Sequence, residues 1–157
     1  MKWSDWFEKW DVVYLKLNTG FAELEFAPKD ADRDAAWELY IELLTRITTQ
    51  KLEPGHGDEK TALDSVYNLF ALTRGTLRNQ GRKSGEFAKI AIVVLNQVVR
   101  PFTAKWHKLS LAGAFGDEQR CQQFRSELSE LQAKLRTYTK MLADMAGVED
   151  LTSLEPE

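Results

Sequence analysis

Residues 117–147 read DEQRCQQFRSELSELQAKLRTYTKMLADMAG. Within them Cys121, Phe124, Leu128, Leu131, Leu135, Tyr138, Leu142 and Met145 come at intervals of 3, 4, 3, 4, 3, 4 and 3. At about 100° per residue this spacing keeps all of them on one side of an α-helix. A helix is therefore predicted over 117–146, with Gly147 as the residue that turns the chain out of it. The seam is a strict heptad. It suits a coiled-coil homodimer, or one long rod of an intramolecular antiparallel bundle. The flanking Arg125, Glu127, Gln132, Lys134, Thr139 and Met141 form no complementary charge code. The bundle reading is preferred on that ground.

Working upstream, Phe87, Ile90, Ala91, Val93, Val94, Leu95, Val98 and Val99 make the preceding helix apolar around most of its girth. It is predicted from just after Ser84 to about 109, and such a helix belongs at the centre of a molecule. Pro101 removes one ladder hydrogen bond and is expected to kink it. Lys89, Asn96 and Gln97 interrupt the apolar run 87–99. A bilayer span needs about 20 apolar residues, so no membrane is expected. A further helix is predicted over about 58–80, with Leu63, Val66, Phe70 and Leu77 inward and Gly81 ending it. Before it, the loop 52–58 contains Pro54-Gly55-His56-Gly57. The first long helix is predicted over about 32–50. Asp30, Asp32 and Asp34 make its first turn acidic, and its core face is read as Trp37, Tyr40, Ile41, Leu44 and Ile47.

The segment 1–28 reads as an appendage. Ser4 is placed as the N-cap of a short helix over 4–10, which puts Trp3, Trp6, Phe7 and Trp10 at helical spacing. Residues 12–18 and 21–27 alternate in polarity, and Thr19-Gly20 between them reads as a hairpin turn. In the best register Leu17 faces Ala22, Leu15 faces Leu24 and Val13 faces Phe26, while Lys16 meets Glu23 on the other side. The expected fold is mainly α: an antiparallel four-helix bundle (31–147) carrying an N-terminal short helix and β-hairpin (1–28). Residues 148–157 are expected to form an acidic flexible tail, and the whole chain 1–157 to form a single domain.

The chain has 157 residues and a formal net charge of −3, which argues against a general nucleic-acid binder. The charge is unevenly placed. Residues 1–73 carry 8 basic and 14 acidic side chains, residues 74–108 carry 8 and 1, and residues 109–157 carry 5 and 9. A basic middle between acidic ends hints at an anionic partner, unless the ends fold back and neutralise it. Cys121 is the single cysteine, so an intrachain disulfide and a cysteine-rich zinc site are excluded. A reducing, cytoplasmic location is expected, and the N-terminal Met1-Lys2-Trp3-Ser4-Asp5-Trp6 lacks the apolar core of a secretion signal.

Catalytic motifs are sparse. The sequence has no Gly-rich phosphate loop, no Gly-x-Ser-x-Gly elbow and no His-Glu-x-x-His. Glu127 and Glu130 lack a second acidic pair, so no metal and no cofactor are expected. Cys121 lies on the apolar seam, where a thiol acts as a small core residue. His56 reads as a solvated loop residue. His107 is more suggestive. On one continuous helix Lys89, Asn96, Arg100, Thr103 and His107 fall within a sector of about 60°. Arg74, Arg78, Arg82 and Lys83 precede this stripe, and Lys105 and Lys108 lie beside His107. Together these residues are the candidate anion- or nucleic-acid-binding surface. Trp3, Trp6 and Trp10 are the candidate partner-binding anchor, although the same rings would equally cap the core.

Arg100 and His107, with six residues between them, resemble the Arg-x4–6-His pattern of HEPN-type helical ribonucleases. That resemblance implies a helical bundle, commonly a dimer, in which the Arg and His cleave RNA without metal. Here Pro101 follows the arginine where that family usually carries a polar residue, and the intervening helix spans about 10 Å. The leading functional expectation is a non-enzymatic interaction module, a small regulatory or scaffolding subunit that binds a macromolecular partner. The alternative is an RNA-binding or HEPN-like bundle using the basic face. A third, a small-ligand bundle, rests on Asn96 and Arg100 as buried polar positions. A homo-oligomer would form through the 117–146 seam or the hairpin edge.

Overall fold

The computed structural model of the chain describes residues 1–154. Among them the helices are α1 (Trp3–Lys9), α2 (Thr19–Ala22), α3 (Asp30–Leu44), α4 (Glu59–Tyr67), α5 (Leu69–Gln80), α6 (Gly85–Val94), α7 (Arg100–Leu111) and α8 (Glu118–Ala146). Short 3-10 turns occupy Gly81–Ser84, Ala114–Gly116 and Thr152–Leu154, and a π turn occupies Leu95–Val99.

α3 and α8 form the centre. α3 packs most extensively on α8, then on α5, on the turn Gly81–Ser84 and on α6. The pair is antiparallel: Gln132 and Arg136 of α8 donate to the carbonyls of Ile47, Gln50 and Thr49 just beyond α3. The Gly147 end lies beside Arg33. α8 begins at Asp117, whose carboxylate accepts the Gln119 N–H at 2.9 Å, and ends at Gly147 with φ 70°. The heptad seam is consumed inside the chain: Phe124, Leu128, Leu131, Leu135, Tyr138, Leu142 and Met145 are all buried. That burial removes the seam as the face of a coiled-coil homodimer.

Asp32 joins the starts of two helices. Its side chain is buried. One carboxylate oxygen accepts the Lys29 N–H at 2.8 Å at the start of α3, and the other accepts the Phe87 N–H at 3.0 Å in the first turn of α6. A single anion thus serves the orphan donors and positive dipole ends of two helices.

Several expectations are corrected by the fold. The β-hairpin is absent, and no strand occurs among the described residues. Asn18 accepts the Phe21 N–H at 2.7 Å and starts the helical turn α2, so Gly20 sits in a helix and not in a hairpin turn. The chain 12–18 forms no strand. The Gln97 side-chain amide accepts from the Lys16 N–H at 2.7 Å and donates to the Lys16 carbonyl at 2.8 Å, taking the place of a neighbouring strand. Residues near 25 pair instead with the start of the chain, through the isolated Lys2–Glu25 bridge. With no hairpin there is no hairpin edge for a second copy to extend.

The body is not the expected antiparallel four-helix bundle either. Asn68 (φ −62°, ψ −17°) separates α4 from α5, and the π turn separates α6 from α7. Pro101 lacks an N–H, and in the turn before it the Arg100 N–H reaches five residues back to Leu95 O. The core face of α3 is only partly the one expected: Tyr40 is buried, and Leu44 and Ile47 pack against the core. Ala35, Ala36, Leu39, Tyr40 and Leu43 are buried, while Trp37 and Ile41 are 43% and 41% exposed. Trp37 is stacked on Tyr40 with ring centroids 5.8 Å apart.

The tail is packed as far as it is described. The Tyr40 hydroxyl accepts the Leu151 N–H at 2.7 Å, and Asp150 caps the buried Thr152. The last residues of the expected acidic tail, 155–157, lie outside the described residues. The helical run Glu59–Leu111 contains an 18-residue window of mean hydropathy 1.3, and 44% of that window is buried inside the fold.

Candidate anion-binding face

α5 ends at Gln80, and Gly81 (φ 68°, ψ −160°) takes a conformation that only glycine adopts readily. The chain then turns through Gly81–Ser84 into α6. Arg74 and Arg78, four residues apart, share a face of α5, and Arg82 and Lys83 come next in the turn. All four are exposed and have no ion-pair partner among the described residues. The single acid of the 74–108 stretch, Glu86, is engaged by Lys89 at 2.6 Å. Among the described residues, no acid from either end of the chain pairs with these four.

Beyond them runs a row of rings and cations. The Arg100 guanidinium sits 4.6 Å from the Phe70 ring centroid, and its Nε donates to Asn96 at 3.2 Å. Tyr67 lies 5.6 Å from Phe70 and 4.8 Å from the His107 ring, edge to face with the latter. Arg100 and His107 thus flank one aromatic pair on the α4–α5 side. Tyr67 is 52% exposed and Phe70 only 4%. Lys108 is exposed without an ion pair among the described residues.

The predicted stripe survives only in part. A π turn is wider than an α turn, so it rotates the α6 side of the helix against the α7 side. Lys89 points to the N-terminal segment, with its Nζ 5.8 Å from the Trp3 ring centroid. Thr103 is buried, and its hydroxyl donates to the carbonyls of Val99 and Arg100. Lys105 faces α8 and pairs with Glu127 at 2.5 Å. Asn96 and Arg100 are exposed, not buried, which removes the basis of the small-ligand reading. A cleft of about 420 Å³ does open between α7 and α8. Its Lys105 and Lys134 face Glu127 and Glu130, and neither Asn96 nor Arg100 lines it.

The tryptophans turn inward. Trp3 and Trp6 are buried against Phe7 and Phe26. Asp144 of α8 accepts from Trp6 Nε1 at 2.8 Å, Trp10 Nε1 at 3.2 Å and Lys9 Nζ at 3.0 Å. Partial burial would raise the Asp144 pKa, but these three donors hold it below the usual range. Trp6 and Trp10 therefore fasten the N-terminal segment to α8; Trp3 and Trp6 are buried and Trp10 is partly buried.

Among the described residues no group of three or more His, Cys, Asp or Glu is placed to hold a metal ion. Burial would raise the Glu127 pKa as well, but donors from Lys105, Trp106 and Gln123 lower it, so it is an engaged structural anion. Desolvation, reinforced by Glu59, pushes the Cys121 thiol up, away from the nucleophilic thiolate. His56 is exposed in its loop, where its carbonyl accepts from Arg125.

Two residues escape a reading of the sequence. Tyr67 falls at the α4–α5 boundary, and its single signal is its position three residues before Phe70. Gln97 looks like an interruption of an apolar helix, and nothing local indicates its grip on Lys16. Comparisons with family models, curated proteins and solved structures find no match.

Proposed function

We propose that the chain is a non-enzymatic interaction module that engages a polyanionic macromolecule through the face carrying Arg74, Arg78, Arg82, Lys83 and Arg100. One observation carries this reading: exposed cations of a stretch with a single acid stand without ion-pair partners among the described residues, while that acid is already held by Lys89. Such a cluster raises the local potential and attracts a polyanion, with affinity that falls steeply as salt rises. The test is binding of inorganic polyphosphate over a salt series. Wild type should bind with a steep negative salt slope, and the R74E/R78E variant should bind at least about tenfold more weakly. Equal binding by both proteins overturns the reading.

A second reading, RNA cleavage, is favoured by one placement: Arg100 and His107 flank the same Tyr67–Phe70 pair. Cleavage of RNA in the presence of a chelator that disappears in both Arg100→Ala and His107→Ala would support it. An inert wild type overturns it.

A further inference from the structure

We infer that the polyanion is a single-stranded nucleic acid and that an unpaired base stacks on Tyr67. This deepens the reading of the basic face and rests on it. Phosphate attraction alone needs cations and no aromatic surface. Yet Tyr67, which contacts the Phe70 ring that carries Arg100, is 52% exposed. An open tyrosine at that position has no packing role comparable to that of Phe70 beside it, which is 4% exposed.

The support around Tyr67 suits a stacking platform. One side of the ring is fixed by Phe70 and by the edge-to-face contact with His107. Asn68, exposed next to it, offers an amide to a base edge. The nearest acid on the same face, Asp64 one turn earlier, is paired with Lys60 at 2.5 Å and so repels an incoming phosphate less. Arg74 lies one helical turn beyond Phe70, and Arg100 sits over Phe70 itself. A base on Tyr67 would therefore leave its neighbouring phosphates beside these guanidinium groups. Stacking of this kind tolerates any base and requires one that is unpaired.

The experiment compares wild type, Tyr67→Ala, Tyr67→Trp and R74E/R78E by fluorescence anisotropy. The probes are labelled single-stranded 12-mers of uridylate and thymidylate, a labelled 12-base-pair duplex and polyphosphate, with unlabelled poly-glutamate as competitor. Tyr67→Ala should weaken binding of a 12-mer about tenfold and leave polyphosphate binding unchanged, because polyphosphate has no bases. Tyr67→Trp should retain wild-type affinity, and wild type should prefer either single strand to the duplex. Stacking is overturned if Tyr67→Ala binds the 12-mers like wild type, if it weakens polyphosphate equally, or if the duplex binds as tightly. It is also overturned if poly-glutamate displaces the 12-mers at equal charge concentration, which would point to an acidic protein. Those outcomes leave the basic face standing. If R74E/R78E binds every probe like wild type, the basic face itself fails.

Discussion

Arg125 and Arg136 of α8 and the arginines of α5 are the same residue in opposite circumstances. Arg125 uses its whole guanidinium inside the chain: Nε meets Glu59 at 2.7 Å, and the terminal nitrogens reach the carbonyls of Glu53 and His56. Arg136 likewise donates to Thr49 at 2.9 Å. Both fasten the segment between α3 and α4 onto α8. Arg74 and Arg78 meet no carboxylate among the described residues and stand in solvent. An arginine with a full set of acceptors explains itself by what it holds together. An exposed one explains nothing about the fold, so its reason must be sought outside the chain or not at all.

This contrast can be broken by stability measurements. The largest effect is expected where one engaged charge serves two helices. Asp32→Ala should cost about 3 kcal/mol in urea unfolding, because two helix starts lose their acceptor at a buried site. Asp32→Asn, which keeps one carbonyl acceptor, should cost less. Next, Arg125→Ala should cost about 2 kcal/mol, and hydrogen exchange should quicken through 53–59, since Glu59 and two carbonyls lose their donor.

A smaller effect is expected at Asp144, where solvent screens part of the interaction. Asp144→Asn should cost about 1 kcal/mol at neutral pH. The folded-state pKa of Asp144 is depressed below the ordinary 3.8. Its contribution is therefore complete above that value and is lost as pH falls through the lower folded-state value. The variant should lack this part of the acid-induced destabilisation, as monitored by tryptophan fluorescence. Smallest of all, Arg74→Ala and Arg78→Ala should each change stability by no more than about 0.5 kcal/mol. A larger loss at either position would mean that it is holding the fold after all, and the contrast with α8 would fall.

How much of the fold is legible in the sequence depends on the reach of the interactions involved. The ends of α8, the stop at Gly81 and the disturbance near Pro101 depend on a few neighbouring residues, and they can be read locally. The hairpin is misread because part of its alternation holds: Leu15 and Leu17 pack against the core, although Val13 is 84% exposed and Val12 is buried in its place. The backbone partner, however, is a glutamine side chain 81 residues away. The face of α3 is misjudged at Trp37 and Ile41, where size is taken to decide burial while the small Ala35 and Ala36 are the buried residues. The unpaired state of Arg74, Arg78, Arg82 and Lys83 is beyond local reading, since neutralisation depends on where distant acids come to rest. The stripe through Lys89 and Thr103 fails for a simpler reason: it assumes an uninterrupted α-helix.

The wide turn at Leu95–Val99 also acts as an indexing ring for everything downstream of it. Removing one residue there, so that an ordinary α turn closes, would screw α7 by about 100° and draw it back by about 1.5 Å. Phe102 and Trp106 would swing out of the interior, and Arg100 and His107 would leave Phe70 and Tyr67. A plain five-residue stretch with no charge of its own thus decides which direction those two side chains face.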